Sequence, residues 1–297
     1  MGSTERCAVN DSGTHLMTTR VVVLGGTGYV GSNISRHLSM NGFEVLALGR
    51  HEIDFLREGS WETLVTYLGE GVHVVVASAI PRAKQDTLES CMRNVAMIGE
   101  IARGIEVGSS GKIVFFSAAD VYGHPALNLC EDQAVFPQNL YGAYKLFAES
   151  LLNEMFRKRA LVIFRLPGVF GGADDTESIV AKFAKKVARG EEVVLTNSGK
   201  TLRDFLPMSY LQNVILDILQ GSARGTFNVS CGKPISMKHL VEVIGEVHGT
   251  PTACVLDTYR GERDFDFSFN CNALAGVLFR EHGCDLKSEI KRLIQSG

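Results

Sequence analysis

The sequence lacks the features that are typical of proteins that bind nucleic acids or span membranes. Its 30 Lys and Arg residues stand against 33 Asp and Glu residues, for a net charge of −3, and no dense basic block interleaves arginine with aromatic side chains. No apolar run is long enough to span a bilayer. We therefore expect neither a nucleic-acid partner nor a membrane partner.

Cysteine is sparse and without pattern. The seven cysteines lie far apart, and none of them forms a Cys-x-x-Cys pair or a Cys/His ligand spacing. This usage argues against a disulfide framework and against a structural metal. We expect reduced, mostly buried thiols, no metal site and a cytoplasmic protein.

The first 19 residues are polar and lack the apolar segment of a secretory signal. We expect a disordered tail there. The chain has 297 residues, of which 45% are hydrophobic, and this suffices for one large α/β domain or two smaller lobes.

What the sequence does contain is organised around residues 21–31. The apolar run 21–24 predicts a buried parallel strand, and the glycines after it have the spacing GxxGxxG before an amphipathic run at 34–40. Gly25 suits a backbone conformation that a β-carbon forbids, Gly28 lets a pyrophosphate approach, and Gly31 lets the helix pack on its strand. With a second apolar strand at 45–48, this is the βαβ context of a dinucleotide site. Its predicted cofactor residues are Gly25, Thr27, Gly28, Tyr29, Val30 and Gly31.

The end of the second strand indicates which dinucleotide is bound. An acidic residue there would hydrogen-bond the ribose 2′-hydroxyl of NAD, but the position is Gly49 and is followed by Arg50. Arg50 either pairs with the 2′-phosphate of NADP or is a solvated loop arginine. We favour NADP over NAD. We also assign Asp54 and Phe55 to the cofactor site, with helix capping as the alternative for Asp54.

The third predicted strand brings further residues to the same edge of the sheet. Residues 72–77 form an apolar run that ends in the loop 78–81, which places Ala77, Ser78 and Ala79 on the cofactor side. A helix predicted at 87–105 carries Asn94, which we assign to the site as a polar brace between neighbouring strands.

The fourth strand leads to the predicted reaction centre. Reacting groups of open parallel sheets lie past the carboxyl ends of strands, so Ser117 and Asp120 face the substrate crevice. Tyr141 and Lys145 follow on a predicted helix, four residues apart and hence on one face. An ammonium there lowers a phenol's pKa from about 10 toward neutrality, so that the phenol can exchange a proton with a hydroxyl or carbonyl.

Together these motifs resemble the extended branch of the short-chain dehydrogenase/reductase superfamily, the NAD(P)-dependent sugar epimerase, dehydratase and reductase group. The resemblance rests on the glycine stretch, on Val121-Tyr122-Gly123, on Tyr141-Gly142-Ala143-Tyr144-Lys145 and on Arg203-Asp204-Phe205. It implies a doubly wound parallel sheet of Rossmann type with a smaller C-terminal α/β substrate lobe. It also implies Tyr141 as the acid/base and Lys145 as the residue that holds the nicotinamide ribose.

Two positions depart from the family pattern. Ala118 stands where the family has the Ser or Thr that hydrogen-bonds the reacting oxygen, and Ser117 should point to the other face by strand alternation. Either the loop bulges so that Ser117 serves, or another hydroxyl substitutes, or activity is reduced or lost. The loss of one such donor costs about 3 kcal/mol. Gly168 replaces an asparagine that contacts the substrate nucleotide in many members, so the pocket differs from that of UDP-sugar epimerases. We assign Pro167, just before it, to the cofactor site.

The resemblance assigns three charged residues to the substrate. Asp120 is either a second proton-transfer group, or a ligand of substrate hydroxyls, or a cap of its own loop. Ala119 stands where dehydratases have a companion acid, which argues against 4,6-dehydration. Arg203 and Arg260 match positions that hold the nucleotide phosphates in relatives, with surface or interlobe ion pairs as the alternative.

We conclude from the motifs and the resemblance that the chain is an NADPH-dependent reductase of a nucleoside-diphosphate 4-keto-6-deoxy sugar. A nucleotide-sugar epimerase, a non-catalytic NADP-binding regulatory protein and an enzyme of another small carbonyl compound are the alternatives. We place the NADP-binding domain at 20–167 with a return segment at 205–231, and the substrate lobe at 168–204 and 232–297. The resemblance also implies a homodimer through two long helices.

Overall fold

A computed structural model of the chain describes residues 19–108, 110–123, 126–173, 175, 178–250, 254–259 and 265–296. The tail predicted at 1–19 lies outside the described residues except for Thr19. The first part of the chain forms β1 (Arg20–Leu24), α1 (Tyr29–Met40), β2 (Glu44–Leu48), α2 (Ser60–Val65), β3 (His73–Val76), α3 (Leu88–Gly108), β4 (Ile113–Ala118), β5 (Ala126–Leu129), α4 (Leu140–Met155) and β6 (Leu161–Leu166). The second part forms β7 (Gly168–Phe170), α5 (Ile179–Ala188), β8 (Val193–Leu195), β9 (Leu202–Arg203), β10 (Phe205–Pro207), α6 (Met208–Gln220), β11 (Gly225–Asn228), β12 (Ile235–Ser236), α7 (Met237–His248), β13 (Cys254–Leu256), β14 (Phe267–Phe269), α8 (Asn272–Ala275) and α9 (Leu286–Ser296).

Six strands form one parallel sheet in the order β11-β6-β4-β3-β1-β2. The direction in which strands are added reverses between β1 and β3, because β2 lies on one side of β1 and β3 on the other. Ligands of such sheets bind in the crevice at the carboxyl ends of the strands beside this reversal. The predicted fold class, a doubly wound parallel sheet, is confirmed.

Both faces of the sheet are buried, as the uninterrupted apolar strands require. In β1 the side chains of Val21 and Val23 pack with α1 and α6, while Val22 and Leu24 pack with α3 and α4 on the opposite face. This alternation follows from the two-residue period of a strand. The helix predicted at 87–105 is α3, so the periodicity located it to within a turn at each end.

The C-terminal elements build a separate apolar cluster. Val180 of α5, Leu240 and Ile244 of α7 and Ile290 of α9 meet there. Short strands accompany these helices in the pairs β7–β10 and β8–β13 and in the sheet β12-β9-β14-β5. Between them in the sequence, β11 returns to the six-stranded sheet beside β6. The residues at which one domain ends and the other begins stay a prediction.

Two cysteines are paired, contrary to the expectation of free thiols throughout. Cys231, which follows β11, and Cys284, which precedes α9, form a disulfide with their Cα atoms 5.7 Å apart. They are separated by 53 residues, so only the tertiary fold brings them together. The free cysteines at 91, 130, 254 and 271 are half-buried rather than buried, and Cys7 lies outside the described residues.

The longest described helix, α3, has 21 residues and is interrupted by charged side chains. Within the described ranges, no helix is both long and apolar enough to cross a membrane. The cytoplasmic location stays a prediction.

Candidate active site

The glycine turn between β1 and α1 is shaped to receive an anion. Gly25 has a φ of +78°, and a β-carbon on it would lie 2.8 Å from the backbone nitrogen of Ser78. A β-carbon on Gly31 would lie 2.2 Å from the Gly25 carbonyl oxygen, so only glycine lets α1 pack this close to the turn. Helix α1 begins at Tyr29 with Gly28 as N-cap and without a side-chain cap, which leaves N–H groups for a ligand. These residues fit a dinucleotide pyrophosphate.

The end of β2 carries a carboxylate that sequence reasoning missed. A β-carbon on Gly49 would lie 2.4 Å from Thr27 Oγ1, so no acidic side chain fits at this position. Instead Glu52 folds back, and its Oε2 accepts a hydrogen bond of 2.7 Å from the Gly49 N–H. Arg50, 70% exposed, pairs with Asp54 at 3.2 Å. The strand end therefore presents a carboxylate and a guanidinium, and it suits either NAD or NADP.

The side chain of Asn94 binds the backbone of the loop after β3. Its Oδ1 accepts a hydrogen bond of 2.8 Å from the Ile80 N–H, and its Nδ2 donates one of 3.0 Å to the Ile80 carbonyl. Asn94 is buried on α3, so it acts on the loop rather than reaching the crevice itself. Phe55 is likewise buried, in the core on the same side of the sheet. Of this group, the loop backbone at 77–79 remains the surface for a cofactor.

Tyr141 and Lys145 lie together at the end of β4. Their helix, α4, begins after the N-cap Asn139, whose side chain accepts a hydrogen bond of 2.7 Å from the Gly142 N–H. Lys145 Nζ lies 5.5 Å from the centre of the Tyr141 ring and donates a hydrogen bond of 2.5 Å to the Phe116 carbonyl. The fold therefore assembles the predicted pair beside the crevice.

The electrostatics of this pair differ from the sequence prediction. Burial raises the pKa of the Tyr141 phenol, and the nearby Asp120 carboxylate raises it further. Burial lowers the pKa of Lys145 to about 7, although Glu149 and Asp120 act in the opposite direction. The predicted lowering of the phenol's pKa is therefore wrong, because burial and Asp120 both raise it. At neutral pH Tyr141 is protonated, which is the form that can donate a proton.

Ser117 does not face Tyr141. Strand β4 keeps a regular register with β6 through Ala118, with Ser117 opposite Arg165, so no bulge turns the serine toward the crevice. The buried Ser117 hydroxyl donates a hydrogen bond of 2.5 Å to Glu149, whose carboxylate Arg165 holds at 2.8 Å. Strand alternation thus places Ser117 in a buried polar network, which corrects its predicted catalytic role.

Asp120 is the centre of a charged cluster at the first turn of α4. It lies in a short 3-10 turn after β4, and its Oδ1 accepts hydrogen bonds from Asn139 Nδ2 at 2.8 Å and from Arg82 Nη1. Arg82 Nε lies 3.5 Å from Asp86, whose Oδ1 accepts a hydrogen bond of 3.1 Å from the Tyr141 N–H. Sequence reasoning missed Arg82; the available signal was a cation directly after the predicted crevice loop 78–81.

Two side chains of α1 bind the segment between β7 and α5. The Tyr29 hydroxyl donates a hydrogen bond of 2.5 Å to the Gly171 carbonyl. The buried Asn33 donates to the Ala173 carbonyl and accepts from the Ala173 N–H, both at 2.9 Å. The helix that starts at the glycine turn is therefore bonded to the entrance of the C-terminal elements.

Two of the predicted substrate residues, Gly168 and Arg203, lie on β7 and β9. Gly168 begins β7 directly after Pro167, and a β-carbon on it would meet no described atom within 4 Å, so the structure is open at this position. Arg203, on β9, lies with its guanidinium 4.1 Å from the centre of the Phe265 ring. Arg260 lies outside the described residues.

Comparisons with known proteins agree with this geometry. A sequence profile described as the NAD dependent epimerase/dehydratase family matches residues 21–230. The chain is 28% identical over 260 residues to dTDP-6-deoxy-L-talose 4-dehydrogenase (NAD(P)(+)) of Kitasatospora kifunensis, a match that covers 80% of this chain and 82% of the relative.

Two solved structures show the same fold at low identity. UDP-glucose 4-epimerase of Thermotoga maritima, solved with UDP-glucose, has a TM-score of 0.81 and 19% identity, over 93% of this chain and 98% of that one. RMD of Pseudomonas aeruginosa, complexed with NADPH, has a TM-score of 0.82 and 19% identity, over 94% of this chain and 98% of that one.

The family profile spans more than half of the chain and includes the glycine turn and the Tyr141–Lys145 pair. The resemblance to the extended short-chain dehydrogenases/reductases is thereby confirmed. The chain belongs to the NAD dependent epimerase/dehydratase family, and it is an enzyme.

Proposed function

We propose that the chain is an NADPH-dependent reductase of a nucleoside-diphosphate 4-keto-6-deoxy sugar. The observation that carries the proposal is the protonated Tyr141 beside Lys145 at the carboxyl end of β4. An ordinary phenol is protonated at neutral pH, and burial and the Asp120 carboxylate, which raise the pKa of Tyr141, keep it in this form. Tyr141 therefore carries the proton that a reduced carbonyl oxygen takes up. Reduction of a carbonyl needs a donor, whereas oxidation of a substrate hydroxyl begins with a base.

Different residues of the chain would bind the cofactor and transfer the proton. NADPH, when bound, supplies the hydride. The N–H groups at the start of α1 would hold its pyrophosphate, Arg50 its 2′-phosphate and Lys145 its nicotinamide ribose. Tyr141 gives its proton to the oxygen of the reduced carbonyl and recovers a proton from solvent.

The nucleotide sugar is proposed from the relatives and from the C-terminal strands. The relative from Kitasatospora kifunensis is named for a dTDP-6-deoxy sugar, and the Thermotoga maritima structure contains UDP-glucose. Arg203 and Arg260 are our candidate ligands for the diphosphate, because an arginine fork matches phosphate geometry. The open space at Gly168 supports a pocket that differs from one lined by asparagine.

A nucleotide-sugar epimerase is the second candidate, and Glu52 is the observation that favours it. Its carboxylate at the end of β2 can accept a hydrogen bond from the 2′-hydroxyl of NAD and repels a 2′-phosphate. An epimerase would recycle its bound cofactor, and NAD would suit it. Arg50 and Glu52 therefore make opposite predictions for the cofactor.

The test measures NADPH and NADH oxidation by the purified protein with a panel of nucleoside-diphosphate 4-keto-6-deoxy sugars, and identifies products by NMR. We expect turnover with NADPH. Arg50→Gln should weaken NADPH binding about 10- to 100-fold and leave NADH binding nearly unchanged, since it removes a charge-assisted contact. Glu52→Gln is the matched variant and should not weaken NADPH binding.

Other results would replace the proposal. Epimerised product from a nucleoside-diphosphate 4-hydroxy sugar such as UDP-glucose, without net cofactor oxidation and with loss of NAD binding in Glu52→Gln, would identify an epimerase. Tight cofactor binding without turnover on any sugar of the panel would favour a binding protein or an enzyme of another carbonyl compound.

A further inference from the structure

The inference rests on the proposed reduction and concerns a donor that the site lacks. A carbonyl that receives hydride develops negative charge on its oxygen, and Tyr141 supplies one hydrogen-bond donor to that oxygen. The side chain of Ala118 is a methyl group, and the Ser117 hydroxyl is committed to Glu149 inside the protein. A second donor therefore has to come from another element.

The fold brings Arg82 to this place. Its Nη1 donates to Asp120, two residues after Ala118, and its Nε lies 3.5 Å from Asp86. The Arg82 side chain is 36% exposed, so the protein does not enclose it. A guanidinium carries five N–H groups in a planar fork, so it can hold one carboxylate and still donate to a second oxygen.

The two carboxylates fix Arg82 against the same turn of α4 that carries Tyr141. Asp86 accepts a hydrogen bond from the Tyr141 N–H, and Asp120 accepts one from the side chain of the N-cap Asn139. Three loops, after β3, after β4 and before α4, are joined by these contacts. The arginine is thus held beside the first turn of α4, the turn that carries Tyr141, by ion pairs and hydrogen bonds that do not involve the substrate.

We propose that Arg82 is a catalytic residue that donates a hydrogen bond to the reacting oxygen of the substrate, in place of the hydroxyl absent at Ala118. Asp120 and Asp86 are positioning residues that aim its guanidinium. In the step itself, hydride adds to the carbonyl carbon, the carbon–oxygen π bond breaks, and the oxygen takes the Tyr141 proton. Arg82 keeps its own proton and stabilises the oxygen by charge and hydrogen bond.

The test is a double-mutant cycle on Arg82 and Ala118 in the full chain, with NADPH and the best sugar of the panel. Arg82→Gln should lower kcat about 100-fold, because one oxyanion donor is lost, and should leave the dissociation constant of NADPH unchanged. Ala118→Ser in that background restores a hydroxyl and should recover at least about 10-fold of the loss. Arg93→Gln removes an exposed arginine that pairs with Glu89 at 3.6 Å and should leave kcat unchanged.

A second variant separates donation from loop support. Arg82→Lys keeps a cation for Asp120 but not the planar fork, so we expect a Tm equal to that of the parent and a kcat about 10-fold lower.

Three results would overturn the inference. A kcat of Arg82→Gln equal to that of the parent shows that Arg82 does not act in the reaction. A loss that Ala118→Ser fails to recover shows that Arg82 only supports the loops. A parent protein without turnover on the panel refutes the proposed function itself, and with it the role of Arg82 in that reaction. The activity of the parent therefore distinguishes this result from the other two.

Discussion

At the scale of single residues, the proposed chemistry depends on the Tyr141 phenol. Tyr141→Phe removes the proton donor and keeps the ring that packs against Tyr144. We expect kcat to fall about 100- to 10,000-fold while NADPH binding is retained. Steady-state kinetics and a fluorescence titration with NADPH measure the two quantities.

The neighbouring Tyr144 provides the control. It is buried on the same helix, and Tyr144→Phe should retain most of the activity because its hydroxyl is not assigned to the reaction. Full activity in Tyr141→Phe would remove Tyr141 from the mechanism.

Lys145 should make the stability of the protein depend on pH. Its pKa is about 7 in the folded chain and 10.5 ordinarily, so between these values the unfolded chain binds one more proton than the folded one. The free energy of unfolding therefore rises with pH in this window, by up to about 1.4 kcal/mol per pH unit. Lys145→Met should flatten this slope, which urea unfolding at about pH 7, 8 and 9 would measure.

Lys238→Met is the control for this slope, because Lys238 is half exposed and pairs with Glu242 at the surface. It should leave the pH dependence as in the parent. Identical slopes for the parent and Lys145→Met would show that the lysine is not desolvated as the structure places it.

At the scale of elements, the C-terminus of helix α6 is capped by a side chain from another part of the chain. Lys112, at the start of β4 and 5% exposed, donates hydrogen bonds from Nζ to the carbonyls of Ile218 and Gly221. These carbonyls lie at the end of α6. The Ile218 carbonyl also accepts a long hydrogen bond of 3.3 Å from the Gly221 N–H, and the Gly221 carbonyl lies past the last turn of the helix. The ammonium also complements the negative end of the helix dipole.

We expect Lys112→Met to lower the free energy of unfolding by about 1–3 kcal/mol, because it removes the ammonium donor from two carbonyls at the helix end. Urea unfolding at neutral pH measures the change, and Lys238→Met, which breaks only a surface pair, should lie within about 0.5 kcal/mol of the parent. Equal stabilities would mean that water replaces the ammonium at the helix end.

The elements themselves could be predicted from the sequence, because their signals are local. Uninterrupted apolar runs marked β1, β3 and β4, and the helical period located α3, since burial on both faces or on one face determines these patterns. Strand alternation also predicted that Ser117 points away from Ala118.

Contacts between elements could not be predicted in this way. Arg82 and Asp120 are 38 residues apart, and Cys231 and Cys284 are 53 apart, so neither pair has a spacing that signals it. Glu52 is close to Gly49 in sequence, but its position depends on how the loop turns back. The sign of the Tyr141 pKa shift was mispredicted, because residue spacing reports which charges are near and not how deeply a phenol is buried.

At the scale of the whole molecule, α3 and α4 pack side by side and leave apolar side chains exposed. Met92 is 59% exposed and Phe147 is 45% exposed, and Leu88 and Leu140 lie at the starts of the two helices. We propose that this face forms the homodimer expected from the family resemblance, because an exposed apolar patch is stabilised when a second copy covers it.

The double substitution Met92→Glu with Phe147→Glu should convert the protein to a monomer, which light scattering after size-exclusion chromatography would show. Met40→Glu changes a side chain that is 72% exposed on α1, away from this face, and should leave the dimer intact. A monomeric parent, or a dimer that survives the double substitution, would exclude this interface.

The bonds from Tyr29 and Asn33 to residues 171–173 have a consequence for the order of events in a catalytic cycle. The first turns of α1 are our proposed binding place for the dinucleotide phosphates, and their side chains also hold the segment that enters the C-terminal elements. We expect bound phosphates to fix this segment as well, and with it the C-terminal elements to which we assign the sugar nucleotide. We expect compulsory sequential addition, in which the cofactor arrives first and leaves last.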